Sequence, residues 1–189
     1  MCRDNGRHMS IEHEYLASLI AELRRVKERA DRTIAQVPAG GLFVVADAQS
    51  NSIAILIKHL AGNMRSRATD FLTTDGEKPD RNRDSEFIID AKDTPDSLQA
   101  LWERGWGILF ALLESLTPED LGKTVFVRGE PHSVICALNR QLAHCANHVG
   151  QIVLLSKCLA GATWQSLSIP RGKSDEFNAE MRRRWETGR

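Results

Sequence analysis

The chain has 189 residues, 42% of them apolar and 26% charged, with a mean hydropathy of −0.32. That is the mixture of an ordinary globular protein, long enough to bury about two-thirds of its unfolded surface, so no disulfide or structural metal is needed for folding. The 25 basic residues equal the 25 acidic ones, which leaves no net field to draw the chain to nucleic acid or anionic lipid. Apolar runs such as Ile53 to Ile57 and Ile108 to Leu113 fall far short of the roughly 20 residues a membrane-spanning helix needs, and the N-terminus does not read as a secretory signal.

Residues 1–9 carry no apolar period and are set apart, and residues 10–189 are expected to form one helical domain with its tail. The first helix is predicted from about Ser10 to Val37, where Leu16, Leu19, Ile20, Leu23, Val26, Ala30 and Ile34 recur at three- and four-residue steps. Pro38, Ala39, Gly40 and Gly41 break it. A second helix, about Asn51 to Leu72, repeats the pattern through Ile53, Leu56, Ile57, Leu60, Met64, Ala68 and Phe71.

From Leu72 to Thr94 the chain is charged and lacks any helical or strand period. About twenty residues are enough to run the length of a bundle and start the next helix parallel to the last, so this segment reads as a solvated crossover. It lacks the alternating ligands and closing glutamate of a calcium loop. Thr94 and Pro95 then cap and open a third helix carrying Leu98, Leu101, Trp102, Leu109, Leu112 and Leu116, which Thr117 and Pro118 end. A short Val125 to Val127 segment has strand character. Pro131 is predicted to start a fourth helix reaching Ala160, with Gly161 as its stop, and a last short helix is predicted from Ser174 to Trp185.

Cys2, Cys136, Cys145 and Cys158 form no CxxC pair and read as reduced core thiols of a cytoplasmic protein. His144 and His148, four apart on the fourth helix, stand one turn from each other, close enough for both rings to reach one ion. They flank the stripe of Leu138, Leu142, Cys145, Val149 and Ile152. His59 lies mid-way along the second helix on a face of small and polar residues with Gly62, Asn63 and Ser66. A mid-helix glycine costs about 1 kcal/mol against alanine, so Gly62 calls for a packing or cavity explanation.

Three neutral imidazoles around a divalent ion leave a fourth position for water or substrate, the arrangement of a catalytic site. Cys145 follows His144, so the HExxH general base is missing. His8, His13 and His132 are poorly placed, and no nucleophile elbow, Walker loop or dinucleotide fingerprint occurs. Asn63 and Gln151, each one turn or less beyond a ligand histidine, are candidates to orient a substrate or a water outside the metal's own ligands, against a plain reading as helix-surface hydrogen bonding.

The run His59, Leu60, Ala61, Gly62, Asn63 with Ser66, Arg67, Asp70, Phe71 and Leu72 resembles the DinB/YfiT-like superfamily of proposed metalloenzymes. So do Asp75 to Pro79, Arg81 to Asp84 with Glu86 and Phe87, and His144 to Gln151. Asp80 departs from the pattern where an aromatic residue is expected. The resemblance implies an all-α, up-down-down-up four-helix bundle with its crossover between the second and third helices, and a divalent metal, zinc or nickel, on His59, His144 and His148. It also implies a homodimer. Some relatives resemble thiol S-transferases that use bacillithiol or mycothiol, and others metal-dependent hydrolases or isomerases. A small-molecule substrate and a low-molecular-weight thiol cosubstrate follow as expectations. The alternative is a non-catalytic, stress-related dimeric bundle whose histidines merely stabilise it.

Overall fold

In the computed structural model, which describes residues 10–187, the first helix, α1, spans Ile11–Ile34. The Ser10 hydroxyl caps it by accepting from the His13 backbone N–H, and Leu16, Leu19, Leu23 and Ala30 form its buried stripe. It ends three residues short of the predicted Val37, consistent with the clash that disfavours helical backbone just before Pro38. Gly40 then turns with a φ of 77°.

Helix α2, Ile53–Ala68, is capped by Ser52 and buried on most of its surface. It stops before the predicted Leu72 because Thr69 is extended and Asp70 takes a φ of 47°, a left-handed conformation that breaks the hydrogen-bond ladder. Helix α3 spans Pro95–Ser115. Thr94 and Ser97 close a reciprocal capping box and Pro95 takes the first turn, as their order in the chain predicts. Trp102 and Trp106 are fully buried on α3. Gly105 lets α3 approach α2 closely, since a Cβ there would lie 2.8 Å from the Ala61 Cα.

The chain is mostly helical, as expected, and the segment with strand character belongs to one short hairpin. Strands β1, Thr124–Val127, and β2, Glu130–Ser133, pair antiparallel with Val127 opposite Glu130. Both turn residues, Arg128 and Gly129, have positive φ, 56° and 76°, the signature of a tight hairpin turn whose twist matches its strands. Pro131 therefore pairs with Phe126 in the hairpin and does not open a helix, and His132 lies on a strand. The last long helix, α4, begins at Val134, where the Ser133 hydroxyl accepts from the Cys136 N–H, and runs to Ala160 with Gly161 at its C-cap. Helix α5, Ser174–Glu186, has no buried residue.

Leucines, isoleucines and tryptophans from α1 to α4 join one continuous apolar cluster. Cross-helix bonds fix neighbours. Tyr15 near the start of α1 donates to the Ile135 carbonyl and Asn139 near the start of α4. Farther along α1, Lys27 pairs with Glu103 and Trp102 donates to Asp31 at 2.8 Å. Of the cysteines, Cys145 is buried whereas Cys136 and Cys158 are exposed, so the prediction of uniformly core thiols holds for Cys145 alone among the described residues. Cys2 and His8 lie outside them.

The crossover is not simply solvated. A 3-10 turn at Asp84–Phe87 buries Glu86, and the Arg81 side chain is only 2% exposed. Farther up, the Asp75 carboxylate accepts the Arg128 and Gly129 N–H groups at 2.8 and 2.7 Å, and Gly76 donates to the Phe126 carbonyl. Crossover and hairpin hold each other in place.

Candidate metal centre

Helix α4 carries His144 and His148 on adjacent turns, and the middle of α2 brings His59 against them. Ring centroids of the three lie 4.6 to 5.2 Å apart, and one nitrogen from each falls within 4.8 Å of the others. The Nε2 atoms of His59 and His144 are 3.2 Å apart. Tetrahedral bonds of about 2.0–2.1 Å to one ion would separate two ligand nitrogens by about 3.3 Å, so the spacing fits a shared cation. The residues predicted from sequence thus meet at one point.

For two of the three rings an outer partner favours one nitrogen at that point. His59 Nδ1 donates to Glu86 Oε2 at 2.9 Å, which leaves the Nε2 lone pair free. His148 Nδ1 donates to Gln151 Oε1 at 2.9 Å, with the same result. Gln151, expected beside the site, holds a ring. Glu86, which sequence reasoning left in a solvated loop, holds another. Its carboxylate is fixed by Arg81 through Nε to Oε1 at 2.8 Å and Nη2 to Oε2 at 3.0 Å. Gly62 makes this possible, because a Cβ at that position would overlap the Glu86 carboxylate. The mid-helix glycine was the one sequence signal of something entering from outside, and it is a packing explanation that applies. Phe87 packs its ring 5.2 Å from that of His59.

The family model described as a protein of unknown function, DUF1572, matches residues 10–173. The chain belongs to that family. No curated protein and no solved structure matches this DUF1572 chain.

Electrostatics in the DUF1572 site favour the neutral forms of His144 and His148. Burial, with the neighbouring His148 and His59, pushes His144 down to about 3. Burial also lowers His148, against the opposing hydrogen bond to Gln151. Neutral rings keep their lone pairs for a cation at ordinary pH. For Glu86 burial alone would raise the carboxyl, yet the bonds from His59 and Arg81 outweigh it and keep it below the usual carboxylate value. Cys145, beside His144 in sequence, is pushed up to about 12 by burial and accepts a bond from Gln141. It is a core thiol with no thiolate to offer a metal or substrate.

Against His144 lies a cavity of about 180 Å³ between α2, α3, α4 and the hairpin. Asn63 lines it, one turn beyond His59, and its Oδ1 is buried without a partner in the protein. His59 and His148 do not line it, so cavity and histidine cluster share the His144 ring.

Proposed function

We propose that the protein is a divalent-metal-dependent enzyme of the DinB type that acts on a small molecule by thiol transfer or hydrolysis, with His59, His144 and His148 as its metal ligands. The observation that carries this is the convergence of three imidazoles, two of which, His59 and His148, are oriented by Glu86 and Gln151 so that their Nε2 atoms are left for a shared ion. A zinc or nickel ion bound there supplies Lewis acidity and lowers the pKa of a water or low-molecular-weight thiol in its open position. The protein's own residues do the rest. Glu86 and Gln151 hold two ring orientations, and the cavity beside His144 orients the substrate. A merely stabilising site would favour a closed shell. Incomplete burial of His144 and His148, and the cavity at His144, support an open one.

The DinB-type bundle order, up-down-down-up, is part of the same proposal. The start of α1 meets the start of α4 through Tyr15, which favours parallel running. Ascending positions on α1 meet descending ones on α3, as Arg24 with Glu114 and Lys27 with Glu103 show. Lys58 near the start of α2 bonds to Asp93 just ahead of α3, and Ala61 faces Gly105. That pattern is expected when the crossover carries the chain back before α3 begins. Free thiols support a cytoplasmic setting, and no described helix is long and apolar enough to cross a membrane. We further propose a homodimer.

The deciding experiment is metal analysis of protein purified without an affinity tag, then zinc and nickel titration by calorimetry, then a screen of thiol transfer and hydrolysis. One ion per chain, lost in His59→Ala and in His148→Ala, is expected. No binding of either ion at millimolar concentration overturns the proposal.

A further inference from the structure

The cavity beside His144 has apolar walls in Ala68, Phe71, Leu109, Leu112 and Leu138. Its charged lining consists of Arg67 and Arg140, with no carboxylate. Three lining residues also carry buried polar atoms that lack a partner in the protein: Asn63 Oδ1, Arg67 Nη1 and His144 Nδ1. Buried polar groups of this kind are paired, by protein or by water, in the great majority of cases, and three such atoms on residues lining one cavity favour an occupant able to hydrogen-bond there.

Charge selects its chemistry. Arg67 Nη2 meets Glu77 at 3.3 Å, but Glu77 also faces Arg81 and Arg128. Arg81 is already paired with Glu86, so Glu77 is shared chiefly between Arg67 and Arg128, and Arg67 Nη1 has no partner in the protein. Arg140, the other basic lining residue, faces His132 and Glu130, and the one unpartnered guanidinium nitrogen of Arg67 suits a monoanion better than a phosphate dianion, which would draw on several cations. Size selects the rest, since an apolar cavity of about 150 Å³ takes one benzene ring.

We propose that this cavity binds a small carboxylic acid with a compact apolar body, about the bulk of one six-membered ring, its carboxylate on Arg67 and its body against the leucine and phenylalanine walls. Arg67 stands eight residues beyond His59 on α2, about 12 Å of helix rise, with Asn63 midway. The acid head is thus held away from the histidines, and the opposite end of the molecule lies toward His144. That this end reacts rests on the metal-dependent reading above, whereas binding of the acid does not.

The test titrates metal-free and zinc-loaded full-length protein with 3-phenylpropionate and with its neutral amide, followed by calorimetry. The acid should bind the metal-free protein, and the amide about tenfold more weakly or worse, the loss typical of a charge-assisted hydrogen bond. Arg67→Met should lose the preference for the acid, and Arg67→Lys should keep part of it. The acid-amide comparison on unaltered protein stands even if an Arg67 variant fails to fold. Equal affinities, or no binding of the acid at millimolar concentration, overturn the proposal. Zinc binding without acid binding removes this inference and leaves the metal centre. Acid binding without zinc binding does the reverse.

Discussion

A carboxylate as buried as Glu86 would ordinarily favour its protonated form, but two bonds from Arg81 and one from His59 keep it charged. Glu86→Gln should therefore weaken zinc about 10- to 100-fold, the usual effect of losing the partner that orients a ligand ring, while the helical spectrum persists. Gly62→Ala separates local preference from packing. Alanine favours a helix interior over glycine by about 1 kcal/mol, yet its methyl group would displace Glu86. The substitution should lower the melting temperature and the zinc affinity together. Stabilisation with unchanged affinity would show that Glu86 is not seated against α2. The histidines set a pH dependence with a definite sign. His144 and His148 both titrate below the ordinary value of 6.5 in the fold, His144 near 3, so the unfolded chain takes up protons first. Stability of the metal-free protein should be full above about pH 6.5 and fall as pH drops toward 3. Glu86, lowered from 4.5, adds to the loss in the acid part of that range. A flat profile from pH 7 to 4 in thermal melts would contradict this.

Among the elements, the contact of α2 with α3 is the tightest test of packing. Gly105→Ala places a methyl group against the Ala61 backbone, which cannot yield as a flexible side chain would. A loss of about 1–3 kcal/mol in denaturant unfolding is expected for overpacking of this kind. What could be read from sequence follows the range of the forces involved. The boundary at Thr94 and Pro95 and the stop at Gly161 depend on local backbone chemistry, and both appear where predicted. His59, His144 and His148 were legible because helical spacing places each on a usable face. The start of α4 was misplaced because Pro131 suits a first helical turn, while its true partner Phe126 is reached only through the Arg128–Gly129 turn. Glu86 was missed for the same reason at longer range, as its role depends on His59, 27 residues earlier. No periodicity in the crossover could reveal that contact.

At the scale of the molecule, one core built from α1 to α4 predicts a fold that needs no ion. Chelator-treated protein and His148→Ala should both keep the helical circular dichroism spectrum, and His148→Ala should lose tight zinc binding. Zinc should raise the melting temperature of the unaltered protein by preferential binding to the native state. Collapse of the spectrum in either case would make the ion structural. A dimer in solution should bury at least about 1,000 Å², and a monomer at high concentration by light scattering would remove that proposal. The anchoring of the crossover has a kinetic consequence. Glu86 ties the loop to His59 at one end, and Asp75 ties it to the hairpin at the other. Any opening of the loop that withdraws Glu86 frees His59 Nδ1, so occupancy of the histidines and local opening are thermodynamically linked. Amide hydrogen exchange across Arg81 to Phe87 should slow on zinc loading more than exchange in the exposed helix α5. Such slowing would make the long connection a latch whose lifetime reports whether the ion is present; equal exchange with and without zinc would rule that out.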